Sequence, residues 1–346
     1  MLIHFGIFLV ALVALAKGAD LFVESSAKIA KRLGVSDLVI GLTITSIGTS
    51  VPELASSISA SLNQAPELIV GNIVGSNIAN IGLILGLSAL LRSIQTDAKM
   101  HDRDGLIMIA STALFFLFSL DNRINEVESG IFLLLYLMYI FFVILSSVRD
   151  RAYHFRDFMK FVFDFEYVEP VKQSLKMNLP SLGRSYSTTG ERSASVGPVS
   201  RMFKDFIVLG VSGGLIVFGA KYLIEEALWT AQRFSIPDNI VGLTLIALGT
   251  SLPELMVSVA AARKGKGGIV VGNVIGSNIA NILFIGGASG SFALLTVAEE
   301  SVTYTIPVML FFSLILLYFV KTNWVISRFQ GFVLLLSYMG FILSAF

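Results

Sequence analysis

The chain has 346 residues, of which 55% are hydrophobic and only 14% charged, and its mean hydropathy is +0.80. Soluble proteins of this length are far less apolar, so the composition indicates an integral membrane protein. The net charge of +1 does not suggest nucleic-acid binding, because the basic residues are spread over loops between apolar segments. The absence of cysteine excludes disulfides and thiolate metal sites.

Long apolar stretches separated by short polar breaks follow one another along the chain. Each approaches the roughly 20 residues that a helix needs to cross a bilayer, whereas a β-barrel would show short alternating segments. We predict an all-α polytopic membrane protein with ten transmembrane helices. The spans are expected near residues 2–24, 38–62, 68–91, 105–120, 128–148, 205–229, 238–262, 268–294, 302–320 and 328–346.

Basic residues are distributed unevenly between the two sides that these spans define. With the N-terminus outside, 21 loop Lys and Arg residues lie inside, and only Arg123 and Arg233 lie outside. The positive-inside rule therefore predicts that both termini are extracellular. We expect the protein in the cell (plasma) membrane.

The segment 149–204 separates the fifth predicted span from the sixth and carries ten of the inside basic residues. It is predicted to be a cytoplasmic linker, and its Ser/Gly/Arg-rich second part has a composition typical of disorder. It could act as a plain tether or be regulated by partners, lipid or phosphorylation. We expect the protein to be a monomer. Its expected partners, besides regulators of the linker, are membrane lipid and the transported inorganic cations, and no nucleic acid.

An internal repeat divides the chain into residues 1–148 and 205–346, five predicted helices each. Residues 41–86 align without a gap to residues 242–287 at an offset of 201, and about half of the positions are identical. Because five is odd, the second copy must enter the membrane in the opposite sense. Such inverted repeats are typical of secondary transporters with a site near the bilayer midplane.

Each copy of the repeat places a glutamate within a predicted span, Glu53 in GTSVPE and Glu254 in GTSLPE. An acidic residue at the centre of a membrane helix costs about 2.5–3.5 kcal/mol on insertion scales, so it normally serves a function or has a partner. Neither motif contains a Lys or Arg that could neutralise it. A bound cation is the natural partner; a protonated carboxyl bonded to a neighbour is the alternative.

Oxygen-bearing groups surround both glutamates. Pro52 and Pro253 should kink their helices and free nearby carbonyl groups for ligation. Hydroxyls and amides in GTSxPE and GNxxGSNxxN are the further candidates: Thr49, Ser50, Ser76, Asn77, Asn80, Thr250, Ser251, Ser277, Asn278 and Asn281. Gly71, Gly75, Gly272 and Gly276 should allow close helix approach. Gly and Ser could serve packing alone, and Asn77 and Asn278 could make interhelical hydrogen bonds or contact the ion.

Hard oxygen ligands with two carboxylates favour Ca²⁺, or Na⁺ and Ca²⁺ in competition. Zn²⁺ or copper would more often recruit His or Cys. The three histidines, His4, His101 and His154, fall at a span end, in a loop and in the linker. None is expected at the centre of the membrane.

Through the doubled GTSxPE and GNxxGSNxxN motifs the chain resembles the cation/calcium antiporter superfamily, specifically its sodium/calcium exchanger branch of prokaryotic and archaeal type. The resemblance covers nearly the whole chain. It implies that Glu53 and Glu254 are the central Ca²⁺ ligands and that Asn80 and Asn281 complete the inner ring. Further oxygens for Ca²⁺ or flanking Na⁺ would come from Thr49, Ser50, Ser76, Thr250, Ser251, Ser277 and main-chain carbonyls near Ser46 and Ala247.

The implied function is secondary active antiport of Ca²⁺ against Na⁺ by alternating access, with the first and sixth helices sliding across a four-helix core. Potassium-dependent relatives carry Asp where this chain has Asn281, so K⁺-independent transport is expected. Two alternatives stay open: an H⁺/Ca²⁺ exchanger that protonates the same glutamates, and a cation channel. An enzyme is disfavoured because no nucleophile–base pair has usable spacing, and no cofactor is expected beyond the transported Ca²⁺ and Na⁺.

Overall fold

The computed structural model describes residues 2–62, 66–148, 154–164, 198–233, 247–292 and 294–344, which are almost entirely helical. The first-half α-helices are α1 (Leu2–Leu33), α2 (Asp37–Ile40), α3 (Ser46–Thr49), α4 (Val51–Leu62), α5 (Pro66–Ala79), α6 (Gly86–Leu91), α7 (Leu106–Phe118) and α8 (Glu126–Val148). Helix α9 (Phe155–Asp164) follows. The second-half α-helices are α10 (Pro198–Arg233), α11 (Ala247–Thr250), α12 (Leu252–Arg263), α13 (Gly267–Ile279), α14 (Gly286–Gly290), α15 (Ile306–Lys321) and α16 (Arg328–Ser344).

Several helices pass directly into π-helical turns. These turns are Gly41–Thr45, Asn80–Leu85, Met100–Gly105, Ala280–Ile285 and Ser301–Thr305. The turn at Asn80–Leu85 corresponds to the turn at Ala280–Ile285, and the turn at Met100–Gly105 to the turn at Ser301–Thr305. π-Turns often occur at functional sites, and two of these begin at or just before predicted site asparagines.

Within the described residues, six helical segments are long and apolar enough to cross a membrane: His4–Leu33, Leu68–Leu91, Glu126–Ser147, Met202–Glu226, Gly267–Gly290 and Ser301–Lys321. The pair Asp37–Thr49 and Val51–Ile58, bent by 42°, raises the number to seven if it is one span. Helix α16 is apolar but shorter. A multi-pass helical membrane protein is therefore confirmed.

The helix bounds differ from the predicted spans where polar residues extend a helix. Helix α1 continues to Leu33 instead of ending near residue 24, and α10 begins at Pro198, inside the predicted linker. Hydropathy detects only the lipid-facing part of a helix, so these polar ends were not recognised. The linker also contains α9, while its predicted disordered part at 165–197 and the first part of the seventh span at 238–246 lie outside the described residues.

Helices α1 and α10 run antiparallel and pack along most of their length. Close approach requires glycine, because a Cβ on Gly219 would lie 2.7 Å from the backbone nitrogen of Leu15. The ends of the two helices are joined by an ion pair, in which Arg32 Nε lies 2.7 Å from Asp205, and by a 2.9 Å hydrogen bond between His4 Nδ1 and Glu226. The two helices thus form a paired unit beside the rest of the bundle.

Helices α3, α4 and α5 of the first half pack with α11, α12 and α13 of the second half to form the core. A Cβ on Gly272 would lie 2.6 Å from the carbonyl oxygen of Leu38, and one on Gly276 would lie 2.8 Å from the Ser46 hydroxyl. The predicted close approach is confirmed at these two glycines. For Gly71 and Gly75 no described atom lies within 4 Å of such a Cβ.

Within the part of the chain that the structure describes, two short antiparallel ribbons connect the halves. Strand β1 (Ile94–Gln95) pairs with β4 (Val325–Ile326), and β2 (Arg123–Ile124) pairs with β3 (Leu295–Thr296). Large apolar side chains lie on the surface, and polar side chains lie in the core, which is the arrangement that a lipid environment favours.

Candidate cation site

The GTSxPE motif breaks its helix one residue after the threonine. Helix α3 ends at Thr49 and α4 begins at Val51, with Ser50 between them at φ −84° and ψ 8°. Ser251 has nearly the same conformation, φ −87° and ψ 6°, at the start of α12. The following prolines cannot donate a backbone hydrogen bond, so the predicted kink is confirmed by the 42° bend in the first copy.

The helix breaks change the environment of both glutamates. Glu53 lies in the first turn of α4, and Glu254 lies in the first turn of α12. The N-terminal end of a helix carries a partial positive charge that stabilises a carboxylate by about 0.3–1 kcal/mol or more when partly buried. The motif therefore partly offsets the cost of placing an acidic residue in the core.

Each carboxylate accepts a hydrogen bond from a serine of the opposite half. Ser50 Oγ donates to Glu254 Oε1 at 3.0 Å, and Ser251 Oγ donates to Glu53 Oε1 at 3.4 Å. Ser277 Oγ lies 3.2 Å from Ser50 Oγ. The corresponding Ser76 Oγ lies 3.3 Å from Ser251 Oγ. These four predicted hydroxyls and both glutamates therefore form one cluster between the halves.

The second oxygen of each carboxylate has a different status. Oε2 of Glu53 and Oε2 of Glu254 have no hydrogen-bond partner among the described residues. The two side chains are only 1% and 2% exposed. A buried, unsatisfied charged oxygen is costly, so a charge-neutralising partner is expected at this position.

Four asparagines form a second layer of the site. Asn80 Nδ2 donates to Asn278 Oδ1 at 3.0 Å, and Asn281 Nδ2 donates to Asn77 Oδ1 at 3.1 Å. This leaves Oδ1 of Asn80 and Oδ1 of Asn281 without partners among the described residues. The geometry favours interhelical hydrogen bonding for Asn77 and Asn278. The side-chain oxygens of Asn80 and Asn281 are left available to a ligand.

The amide groups of the two hydrogen-bonding asparagines reach methionine side chains. Asn77 Nδ2 lies 3.4 Å from Met309 Sδ, and Asn278 Nδ2 lies 3.7 Å from Met108 Sδ. Both methionines are fully buried. In each case the methionine belongs to the half of the chain opposite its asparagine.

Sequence reasoning missed Asn273, the second residue of the GNxxGSNxxN motif. Its Oδ1 accepts a 3.2 Å hydrogen bond from the predicted site residue Thr49 of the opposite half. Its Nδ2 donates to the Glu254 carbonyl oxygen at 3.5 Å and to Ser258 Oγ at 3.0 Å. Asn273 thus links the hydroxyl of one half to the glutamate turn of the other.

Asn72 makes the corresponding contacts in the first half. It accepts from Thr250 Oγ1 at 3.5 Å and donates to the Glu53 carbonyl oxygen at 3.5 Å and to Ser57 Oγ at 3.1 Å. The signal for both residues was present, because Asn follows Gly at the same place in both copies.

The carbonyl of Ser46 already accepts hydrogen bonds, from the Ser50 N–H at 3.0 Å and from Thr49 Oγ1 at 3.3 Å. Ala247, its counterpart at the offset of 201, is the first residue of α11. The three histidines lie outside the cluster, beside Glu226, Asp102 and Asp157 respectively.

The donor set of this site is carboxylate, amide and hydroxyl oxygen. The described residues contain no group of three or more His, Cys, Asp or Glu side chains that could hold a metal ion. Hard oxygens of this kind suit Na⁺ and Ca²⁺ better than transition metals. The site can hold cations between two halves that supply equivalent ligands.

Comparison with known proteins gives consistent results. The family model described as "Sodium/calcium exchanger protein" matches residues 3–145 and 204–346. The sodium/calcium exchanger MaX1 of Methanosarcina acetivorans is 47% identical over 345 residues, 99% of either chain. Sodium/potassium/calcium exchanger 5 of Homo sapiens is 25% identical across 93% of this chain and 78% of its own. A solved structure of the sodium-calcium exchanger NCX_Mj aligns with a TM-score of 0.79 and 30% identity, covering 100% of this chain and 99% of that one.

Proposed function

Because this chain belongs to the sodium/calcium exchanger protein family, we propose that it exchanges Na⁺ for Ca²⁺ across a membrane through one site shared by its halves. It is a multi-pass membrane transporter and not an enzyme, and its ions are substrates, so it needs no cofactor. One observation carries the proposal: four buried carboxylate and amide oxygens of the candidate site lack hydrogen-bond partners among the described residues. They belong to Glu53, Asn80, Glu254 and Asn281.

The charge of the two glutamates explains how the fluxes of Na⁺ and Ca²⁺ are coupled. When both carboxylates are ionised, Glu53 and Glu254 together carry two negative charges. A single Ca²⁺ neutralises them, whereas Na⁺ ions must do so collectively. Binding of one ion type therefore disfavours binding of the other at the same oxygens, and this competition links the two fluxes.

The proposed Ca²⁺ ligands are the two glutamates with Asn80 and Asn281. Hydroxyls around them supply further oxygens for Ca²⁺ or for flanking Na⁺ ions: those of Thr49, Ser50, Ser76, Thr250, Ser251 and Ser277. The main-chain carbonyls of Ser46 and Ala247 complete the proposed set.

We propose that the chain has ten transmembrane helices arranged as two inverted five-helix repeats, 1–148 and 205–346. The two separate matches to the family model support this division. Further support comes from the site, because the serine–glutamate, threonine–asparagine and asparagine–methionine contacts all recur at the offset of 201. In this topology one interhalf ribbon lies on each side of the membrane.

Alternating access would expose the shared site to each side in turn. Helices α1 and α10 are the proposed moving elements, since they pack against each other along their length and flank the core. The Arg32–Asp205 ion pair at one end and the His4–Glu226 hydrogen bond at the other would keep the unit together as it slides.

Potassium independence is proposed from Asn281, an uncharged amide where potassium-dependent relatives carry Asp. The similarity to a human sodium/potassium/calcium exchanger makes K⁺ a necessary test ion. We further propose a plasma-membrane monomer with extracellular termini, and a cytoplasmic linker at 149–204 that is open to regulators. The distribution of basic residues supports this orientation.

The proposal is tested with purified protein in proteoliposomes under clamped pH. An imposed Na⁺ gradient should drive ⁴⁵Ca²⁺ uptake with no requirement for K⁺, and internal Ca²⁺ should stimulate exchange. Glu53→Gln and Glu254→Gln should abolish uptake, while Glu299→Gln, an exposed glutamate, should not. Uptake that follows a pH gradient and ignores Na⁺ would establish proton exchange instead, and flux without stimulation from the opposite side would indicate a channel.

A further inference from the structure

Two methionines lie directly behind the asparagine layer. Met309 Sδ is 3.4 Å from Asn77 Nδ2, and Asn77 Oδ1 accepts the 3.1 Å hydrogen bond from Asn281. The contacts thus connect the Met309 thioether to the Asn77 amide, and the Asn77 amide to the Asn281 amide. The Oδ1 atom of Asn281 has no hydrogen-bond partner among the described residues.

The same chain recurs in the other half. Met108 Sδ is 3.7 Å from Asn278 Nδ2, and Asn278 Oδ1 accepts the 3.0 Å hydrogen bond from Asn80. Asn278 Nδ2 also lies 3.4 Å from the Asn77 carbonyl oxygen, so the orientation of this amide has a second support. The methionine–asparagine contact and the asparagine–asparagine hydrogen bond both recur at the offset of 201, which argues against chance packing.

The sequence of the methionine helices carries an independent signal. When Leu106–Phe118 is aligned with residues 307–319 at the offset of 201, only two of the 13 positions are identical, the methionine and the final phenylalanine. An apolar residue of similar volume would fill the core equally well. Retention of methionine therefore suggests a use for its sulfur.

A thioether sulfur accepts hydrogen bonds and cannot donate them, so it selects one orientation of a neighbouring carboxamide. With its NH₂ group directed at sulfur, Asn77 must direct its oxygen at Asn281. The NH₂ group of Asn281 is then engaged, and its oxygen is left for a cation. The reverse orientation would present NH₂ to the ion and repel it.

We propose that Met108 and Met309 are positioning residues that fix the orientation of Asn278 and Asn77, and thereby present the oxygens of Asn80 and Asn281 to the transported cation. This inference rests on the proposed function. It assigns no direct ion contact to either sulfur. Each methionine acts through the asparagine of the opposite half.

The test uses the full-length protein in proteoliposomes, with Ca²⁺ as the ion. Met309→Leu and Met108→Leu keep the volume of the side chain and remove the acceptor. Each should raise the KM for Ca²⁺ about threefold to tenfold, the loss typical of one neutral hydrogen bond, while kcat is retained. Met100→Leu is the matched control, because Met100 is also buried but its sulfur makes no hydrogen bond among the described residues.

A double-mutant cycle separates positioning from general packing. In an Asn77→Ala background, Met309→Leu should cause no further rise in the KM for Ca²⁺, since the amide that it orients is gone. In an Asn278→Ala background, Met309→Leu should retain its effect. The mirrored cycle with Met108 gives a second, independent test if one variant does not fold.

The outcomes distinguish the two claims. Active wild-type protein with unchanged KM in Met108→Leu and Met309→Leu would overturn the positioning role alone. Fully additive effects of Met309→Leu and Asn77→Ala would also overturn it. Wild-type protein without Na⁺-driven Ca²⁺ uptake would overturn the proposed function, and this inference with it.

Discussion

The hydroxyl of Ser50 donates a 3.0 Å hydrogen bond to the carboxylate of Glu254, across the boundary between the two halves of the chain. Because the two residues belong to different copies of the repeat, neither half completes the site by itself. Substitutions in either half are therefore expected to impair one shared site.

Removal of the Ser50 hydroxyl tests this sharing. A hydrogen bond to a charged group contributes about 1.5–3 kcal/mol, so Ser50→Ala should raise the KM for Ca²⁺ about tenfold or more. Ser251→Ala should have a similar effect through Glu53. Ser111→Ala is the control, since this buried hydroxyl donates to the Ile107 carbonyl of its own helix. A normal KM in Ser50→Ala, with Ser251→Ala impaired, would argue against a symmetric site.

Asn273 is predicted to hold the glutamate turn of its half in place. Asn273→Ala removes its contacts with Thr49, the Glu254 carbonyl and Ser258, and should lower kcat/KM for Ca²⁺ at least tenfold, assuming about 1 kcal/mol for each contact. Ser258→Ala removes one contact of the three and should have a smaller effect. Uptake kinetics and melting temperature should be measured on both variants. Equal effects would mean that the contacts with Thr49 and the Glu254 carbonyl contribute nothing to transport.

Asn281 and Asn278 should respond in opposite directions to aspartate. Asn281→Asp loses the hydrogen bond to Asn77 Oδ1 but adds a carboxylate at an oxygen without a partner among the described residues. Because close opposite charges attract more strongly in the interior than one neutral hydrogen bond stabilises, the KM for Ca²⁺ should fall about tenfold. Asn278→Asp loses an NH₂ group that faces the Asn77 carbonyl and Met108, and should raise the KM. Ca²⁺ uptake with and without K⁺ checks both. Weaker Ca²⁺ uptake in both variants would contradict the assignment of Asn281 to the ion.

The bend at Pro52 is expected to be necessary for transport. Pro52→Ala restores an N–H that can bond to the Gly48 carbonyl and favours a straight helix, which would move Glu53 away from Ser251. Ca²⁺ uptake should fall by about tenfold, as expected when about 1.4 kcal/mol is lost. Pro66→Ala is the control, because Pro66 is the first residue of α5, where a backbone N–H would have no acceptor within the helix. Unchanged uptake in Pro52→Ala would show that the bend does not require proline.

Much of this fold and site could be predicted from the sequence, because the constraints are local or repeated. Hydropathy located helices at every predicted span that the structure describes, and proline chemistry placed the break before Glu53. The offset of 201 identified Ser50, Ser251 and both glutamates as equivalent residues. Repetition supplied the long-range information that a single motif lacks.

Other features depend on tertiary contacts and leave no periodic signal. The π-turn that begins at Asn80 has no distinct composition. Met108 looks like an ordinary core residue until its sulfur is found beside Asn278. Whether Asn77 contacts the ion or makes interhelical hydrogen bonds likewise depends on which atoms its amide oxygen and nitrogen meet in the folded chain.

Equilibrium Ca²⁺ binding to the purified protein at increasing Na⁺ concentration tests the shared site most directly. The apparent Kd for Ca²⁺, measured by calorimetry, should rise with Na⁺ more steeply than the first power, since several Na⁺ ions replace one Ca²⁺. Glu53→Gln and Glu254→Gln should each lose this binding, while Glu299→Gln keeps it. An apparent Kd that does not change with Na⁺, or full Ca²⁺ binding in either site variant, would contradict the account.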